Sequence, residues 1–179
     1  MTRITALGGG AEFDLIRRFL ADAGGDPADG ARHVLVGPGD DCAVLRDGPL
    51  AISVDLSVEG VHFRRDWLSA EEIGYRAGAV ALSDLAAMAA EPLAVLVSLA
   101  LQPADREAFA PAVLRGLRSA ATELGASVIG GDVARTNGPL TIDVVAIGRT
   151  DDPVLRSTAR DGHLLWLTGE LGAAAAAVH

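Results

Sequence analysis

The hexapeptide Gly37-Pro38-Gly39-Asp40-Asp41-Cys42 forces the backbone to turn between two apolar runs, Val34-Leu35-Val36 and Ala43-Val44-Leu45. Glycine reaches positive φ freely and proline fixes its own φ, so a turn is the natural outcome. Two adjacent carboxylates then project from a tightly bent segment, and their mutual repulsion asks for a cation or for open water. Three more aspartates stand at similar junctions: Asp55, Asp84 and Asp132.

The chain's 179 residues are enough for one domain, or for one domain and the beginning of another. Half of them are hydrophobic, which supports a real core and argues against disorder. A net charge of -9 disfavours nucleic acid or an anionic membrane surface as partner. All 15 basic residues are arginines, so a P-loop lysine, a kinase-type strand lysine and a Schiff-base lysine are excluded together. The single cysteine, Cys42, cannot form an intrachain disulfide and reads as a small buried hydrophobe. Met1 to Gly10 lacks the pattern of a signal peptide, and no apolar run reaches the roughly 20 residues that span a bilayer. The expectation is a soluble, cytoplasmic, acidic α/β protein.

Periodicity predicts a first helix from about Glu12 to Ala23, ended by Gly24-Gly25, and a short β-like run over His33 to Gly37. Leu50 to Leu56 is the next strand, with Asp47-Gly48 before it as a hairpin signal. Ser69 with Glu72 three residues on is the pattern of a capping box opening a long helix. Asp84 lies +4, +7 and +11 from Val80, Ala77 and Ile73, which predicts a place on the buried stripe. A carboxylate there must be neutralised, paired, metal-bound or satisfied by backbone donors. Pro92 to Leu101 has the continuous apolar character of a buried strand. Asp105 to Leu124 reads as a further helix with Phe109, Val113, Leu114, Leu117, Ala121 and Leu124 inward, and Gly125 ends it. Ser127 to Ile129 is a short strand leading into a second corner, Gly130-Gly131-Asp132. Leu140 to Gly148 and His163 to Thr168 are strands, and Ala173 to Ala177 begins a helix that suggests an unfinished second domain.

Collected, the chemistry-bearing residues are Asp40 and Asp41, Ser53 and Asp55, Asp84, and Asp132 after two glycines. Hard oxygen donors without histidine or cysteine support suit Mg²⁺ better than zinc. Mg²⁺ takes much of its shell from phosphate oxygens, and an acidic protein needs such ions to bind an anionic phosphate substrate. The general reading is metal-assisted phosphoryl transfer. The Gly130-Gly131 pair would let backbone approach a phosphate, His62 could contact substrate, and Arg156 could neutralise a nucleotide phosphate. Each has a plainer alternative: a simple turn, a structural histidine, a surface arginine. No serine, histidine and acid ordering stands out as a triad.

The blocks Gly10-Ala11-Glu12-Phe13-Asp14-Leu15-Ile16, Gly39-Asp40-Asp41-Cys42-Ala43 and Ile52-Ser53-Val54-Asp55 resemble the thiamine-monophosphate kinase family. So do Val58-Glu59-Gly60-Val61-His62-Phe63, Leu82-Ser83-Asp84-Leu85-Ala86-Ala87-Met88, Ile129-Gly130-Gly131-Asp132 and Leu167-Thr168-Gly169, in the same order over nearly the whole chain. The resemblance implies transfer of the γ-phosphate of ATP to thiamine monophosphate, giving thiamine diphosphate. It implies an α/β (α+β) fold of the aminoimidazole-ribonucleotide-synthetase-like type, a mixed β-sheet with helices packed on one face and the sheet pairing across a homodimer. Residues 1–150 would be the N-terminal ATP- and Mg²⁺-binding and dimerisation domain, and 151–179 a linker and the start of a truncated C-terminal domain. Asp41, Ser53, Val54, Asp55, Asp84 and Asp132 would hold Mg²⁺. Gly131, Asp132 and Arg156 would touch nucleotide, and His62 the thiamine substrate. No general base is assigned, because the substrate phosphate is itself the nucleophile.

Two departures stand out. The position before Asp55 is usually threonine in that family and here is Val54, which leaves only a main-chain carbonyl as donor. The family's C-terminal domain supplies further aspartates, and a chain ending at His179 is expected to be a truncated N-terminal half or the product of a shortened gene. Two other readings compete: a non-catalytic dimerising metal- and nucleotide-binding module, and a related enzyme such as aminoimidazole ribonucleotide synthetase or selenophosphate synthetase. The latter uses a lysine, and this chain has none.

Overall fold

Alternation along the strands decides which way the sheet faces. The computed structural model describes residues 48–155, 159–167, 169 and 171–176, together with 14, 18, 21, 34–36 and 44–45. Its elements are β1 (Val34–Val36), β2 (Val44–Leu45), β3 (Leu50–Val58), α1 (Ala70–Ala87), β4 (Glu91–Leu101), a 3₁₀ turn (Pro103–Asp105), α2 (Phe109–Glu123), β5 (Ser127–Arg135), β6 (Thr141–Arg149) and α3 (Ala173–Ala176). β1 and β2 pair antiparallel on either side of the acidic corner, which itself lies outside the described residues. The other strands form one mixed sheet in the order β3-β6-β4-β5. β6 runs antiparallel to both β3 and β4, and β4 and β5 are parallel.

Both long helices cover one face of that sheet. Ile142, Val144 and Ala146 of β6 and Val95, Val97, Leu99 and Leu101 of β4 point into a core shared with Ile73, Ala77, Ala81, Leu82 and Leu85 of α1. Val113, Leu114, Leu117 and Ala121 of α2 complete it. β3 shows the same alternation: Leu50, Ile52, Val54 and Leu56 stand exposed on the outer face, while Ala51, Ser53, Asp55 and Ser57 turn inward. The mixed sheet with helices on one face is the architecture expected from the sequence.

Glycine sets how the helices meet. A Cβ on Gly74 of α1 would lie 1.7 Å from the Val113 carbonyl oxygen of α2, and one on Gly116 would lie 1.8 Å from the Glu71 carbonyl oxygen. The two backbones therefore touch directly, and no larger side chain fits between them. This contact rotates α1 away from the orientation predicted by its apolar residues. Gly74 and Gly78 are buried, while Val80 and Asp84 sit on an exposed flank. The expected burial of Asp84 is thus corrected. The capping box at the start of α1 is present as predicted: Ser69 Oγ accepts from the Glu72 amide at 3.3 Å, and Glu72 Oε2 accepts from the Ser69 amide at 2.8 Å.

Other expectations shift for identifiable reasons. α2 begins at Phe109 instead of Asp105, because Asp105 closes the preceding 3₁₀ turn, its amide donating to the Gln102 carbonyl at 3.0 Å; its carboxylate is held by Arg65, with Nη1 and Nη2 donating at 2.7 and 2.9 Å. Leu124 is exposed at the helix end, where Gly125 takes φ 81°. Among the described residues β3 pairs with β6 and not with β2, so the hairpin expected between them is not formed; Asp47 itself lies outside the described residues. Gly130-Gly131-Asp132 is no corner. It lies inside β5, where a Cβ on Gly131 would meet the Val97 carbonyl oxygen at 1.8 Å, so glycine serves strand-to-strand approach. His163 to Leu167 forms no strand among the described residues, and its apolar side chains stand free of the sheet. Of the predicted first helix, Asp14, Arg18 and Ala21 are described, and all three are helical.

Gly74→Ala is expected to destabilise the fold by about 3 kcal/mol, the upper end of typical overpacking costs, despite alanine's better helix propensity. Urea unfolding followed by circular dichroism measures this; an unchanged midpoint would show that α1 and α2 are not in backbone contact.

Candidate functional site

Ser53 and Asp55 share the inward face of β3 because they are two residues apart on a strand. α1 crosses that face with Asp84 on its flank, and Ser53 Oγ donates a hydrogen bond to Asp84 Oδ2. Three oxygen-bearing side chains that the sequence singled out are thereby brought together. Asp55 Oδ2 is buried with no hydrogen-bond partner among the described residues. Its pKa is pushed above the ordinary carboxylate value, first by burial, then by the charge of Asp84, its hydrogen bond to that residue, and the charge of Asp143.

Such an arrangement is unfavourable for a protein alone. Two carboxylates repel across a partly dry gap, and only one serine hydroxyl softens the contact. A hard divalent cation would remove the repulsion and give the orphaned Asp55 oxygen a partner, and the donor set is all oxygen. The residues present therefore fit an Mg²⁺-type ion.

Beside the cluster opens a cavity of about 650 Å³, lined by Ser53, Asp84, Met88, Val154, Leu155 and His163 among others. One wall offers oxygen donors and the other is apolar. The Val154 amide donates to the Met88 carbonyl at 3.1 Å, which pins the segment after β6 onto the end of α1. His163 was read from the sequence only as the start of a strand, and nothing in the spacing of the chain marked it as a cavity residue.

The remaining predicted residues fall elsewhere. Val54 is 62% exposed on the outer face, so its side chain points away from Ser53 and Asp55, and only its carbonyl could act as a donor. Asp132 aligns with Ser98 on β5 while its neighbour Val133 packs on the helix-side core, so Asp132 also faces outward. Two strands separate β5 from β3, about 14 Å of sheet. Within one chain the sheet does not bring Asp132 to Asp55 and Asp84, and its Oδ1 accepts from the Val133 amide at 2.9 Å. Gly131 lies in the same strand. Asp41 and Arg156 lie outside the described residues.

His62 stands exposed in the turn that follows β3. Its Nδ1 accepts from the Val58 amide at 3.0 Å, which leaves the Nε2 side of the ring facing outward. The turn is held by Glu59, Arg65 and Asp105, none of which sequence reasoning selected. Asp143, also unselected, sits between Leu56 and Ser98 on the outer face and adds its charge to the field at Asp55. Its alternation with the buried Ile142 and Val144 was the available signal.

Comparison with known proteins gives a family match, a curated relative and two solved structures. The model of the AIR synthase related protein family, N-terminal domain, matches residues 39–150. The chain is similar to the thiamine-monophosphate kinase of Rhodopirellula baltica, at 38% identity over 78% of this chain and 48% of that protein. A solved thiamine-monophosphate kinase from Stenotrophomonas maltophilia superposes with a TM-score of 0.64 at 36% identity, covering 77% of this chain and 42% of the other. A structure described as AaThiL complexed with AMPPCP and TMP does so at 0.59 and 30% identity, over 62% of this chain and 35% of that one. The chain spans about half the length of the curated relatives it matches.

Asp55→Asn removes the repelling charge and keeps the shape. Asp55's folded-state pKa is raised, so the stability linked to its proton is full below about pH 4 and is lost as pH rises through the folded value. The variant is therefore expected to melt above the parent protein at pH 7 without metal, by a few degrees, and to lose the parent's stabilisation by Mg²⁺. Thermal melts with and without millimolar Mg²⁺ read both effects; a variant that melts lower in metal-free buffer would contradict the strained-pair account.

Proposed function

Because the chain belongs to the AIR synthase related protein family, as a copy of its N-terminal domain, we propose that it is part of an enzyme that phosphorylates thiamine monophosphate with ATP. The observation that carries this reading is the Ser53–Asp55–Asp84 cluster with the unpartnered Asp55 oxygen. Its support is the run of similar proteins named thiamine-monophosphate kinase and the complex of one similar structure with AMPPCP and TMP.

In this reading Asp55, Asp84, Ser53, the Val54 carbonyl and Asp41 would hold Mg²⁺, with Gly131, Asp132 and Arg156 assigned to nucleotide. Mg²⁺ held there would supply positive charge against the phosphates for an in-line transfer. The chain's own residues do the rest. The α1 flank and β3 fix the carboxylates, the cavity beside Ser53 and Asp84 keeps its apolar wall against a substrate ring, and His62 offers Nε2–H to thiamine monophosphate. A general base is unnecessary because the acceptor phosphate is already ionised.

Residues 1–150 form the nucleotide- and metal-binding unit in this proposal, and 151–179 lead into a second domain. The family match ending at residue 150 supports that division. A homodimer is part of this reading, supported by the outer face of β3, where Leu50, Ile52, Val54 and Leu56 make an apolar row that a second copy would cover. No helix among the described residues is long and apolar enough to cross a membrane, in keeping with a cytoplasmic enzyme.

Release of ADP in the presence of thiamine monophosphate and Mg²⁺, measured with the complete protein, tests the activity; no substrate-dependent turnover would sink it. Asp84→Asn is expected to lower kcat by at least about 100-fold through loss of metal, with the melting temperature in metal-free buffer held or slightly raised because the charge facing Asp55 is gone. Activity equal to the parent at limiting Mg²⁺ would contradict the role given to Asp84. Val54→Lys is expected to give a monomer by sedimentation velocity; a variant that remains dimeric would place the contact on another surface.

A further inference from the structure

We propose that Arg65 is a positioning residue that sets where His62 stands. The inference rests on the reading of His62 as a substrate contact and extends it to residues that touch no substrate.

The turn after β3 is short and hangs on few contacts. The Gly60 amide donates to the Phe63 carbonyl at 2.8 Å, the amides of Val61 and His62 donate to the Val58 carbonyl, and the Phe63 side chain is buried beneath. Gly60 takes φ 81°, which a side chain would resist. The Phe63 side chain, part of the core beneath the sheet, anchors one side of the turn to the domain. Glu59 and Arg65 anchor the polar side, next to His62. The Glu59 amide donates to the Leu140 carbonyl at 3.0 Å, and Glu59 Oε2 accepts from the Leu140 amide at 3.2 Å, so this residue continues the β3–β6 ladder by one rung.

Arg65 then joins the turn to the start of α2. Its Nε lies 2.8 Å from Glu59 Oε1, its two Nη atoms hold both oxygens of Asp105, and its guanidinium sits 4.2 Å over the Phe109 ring. The Arg65 and Glu59 side chains are less than a third exposed and Asp105 only 10%, so these are not loose surface pairs. One cation separates two carboxylates. Without it, Glu59 and Asp105 would face each other uncompensated in a partly dry setting, and repulsion would push the turn off α2. The His62 ring, tied to the Val58 amide at the base of that turn, would move with it. Lysine could not substitute fully, since its single ammonium lacks the planar fork that reaches both acids and stacks on Phe109.

The test uses the complete protein and three variants: Arg65→Ala, Arg65→Lys and His62→Ala. Arg65→Ala is expected to lower kcat/KM for thiamine monophosphate by roughly 10- to 100-fold, the scale of a misplacement near 1 Å. The loss should appear in KM for that substrate, with KM for ATP unchanged and Arg65→Lys intermediate. The Arg65→Ala/His62→Ala double variant should be no worse than His62→Ala alone. Additive losses, or a fall in kcat with both KM values unchanged, would overturn the proposal. Asp105→Asn, which keeps the shape of the contact, should show the same pattern more weakly if Arg65→Ala folds poorly. Amide exchange followed by NMR gives a readout independent of turnover. In Arg65→Ala or Asp105→Asn the Val58 amide should exchange about tenfold faster while the β4 amides keep their protection. Unchanged Val58 exchange overturns the positioning role. Absence of turnover in the parent protein instead counts against the proposed reaction, and the exchange result still decides the role of Arg65.

Discussion

The backbone contact between α1 and α2 fixes what the rest of the domain can do. At Gly74 and Gly116 one helix presses its main chain against the other, and no side chain cushions the crossing. Successive helical residues are about 100° apart, so a slip of one position would turn the Asp84 flank away from β3 altogether. The helix crossing therefore determines that Asp84 meets Ser53, even though none of the glycines is near that meeting. A site held this way is as rigid as the packing beneath it.

Rigidity matters because the cluster works against the fold. Asp55 is held where its charge is disfavoured by burial and by Asp84, and its buried Oδ2 has no hydrogen-bond partner among the described residues. A sheet would be more stable with an amide there. The arrangement would become favourable with a cation between the carboxylates, so the same geometry that weakens the domain alone would strengthen a metal-bound one. The Glu59–Arg65–Asp105 bridge shows the opposite solution. There two carboxylates share a cation supplied by the chain itself, and Arg65 holds Asp105 below its ordinary pKa through paired hydrogen bonds.

Much of this was legible in the residues. Ser53 and Asp55 were singled out together on the strand expected over Leu50 to Leu56, and the capping box at Ser69 and Glu72 marked where α1 begins. What could not be read were contacts that depend on an absent side chain. Gly74, Gly78 and Gly116 contribute nothing to an apolar stripe, so the stripe drawn from Ile73, Ala77 and Val80 rotated α1 slightly wrongly and buried Asp84. Gly130-Gly131 misled for a related reason. Glycine serves equally for a turn and for close approach of two strands, and only the position of the Val97 carbonyl decides between them. The run from His163 to Leu167 had the composition of a strand, but composition names no hydrogen-bonding neighbour, and β pairing is a property of two segments.

The sheet also divides residues that resemblance grouped. Ser53 and Asp55 look toward the helices, whereas Asp132 looks out of the opposite face in the row Leu56, Asp143, Ser98, Asp132. As this chain folds, those aspartates do not share one metal shell, because the sheet itself stands between them. The outer row lies on the same face as Leu50, Ile52 and Val54, the surface assigned above to a second copy. A group bound at Asp132 is thus approached from the side of the proposed partner, and a group bound at Asp55 from the side of α1. If both aspartates serve one nucleotide, that nucleotide meets them from two different chains, and the proposed dimer would then be a condition of the chemistry.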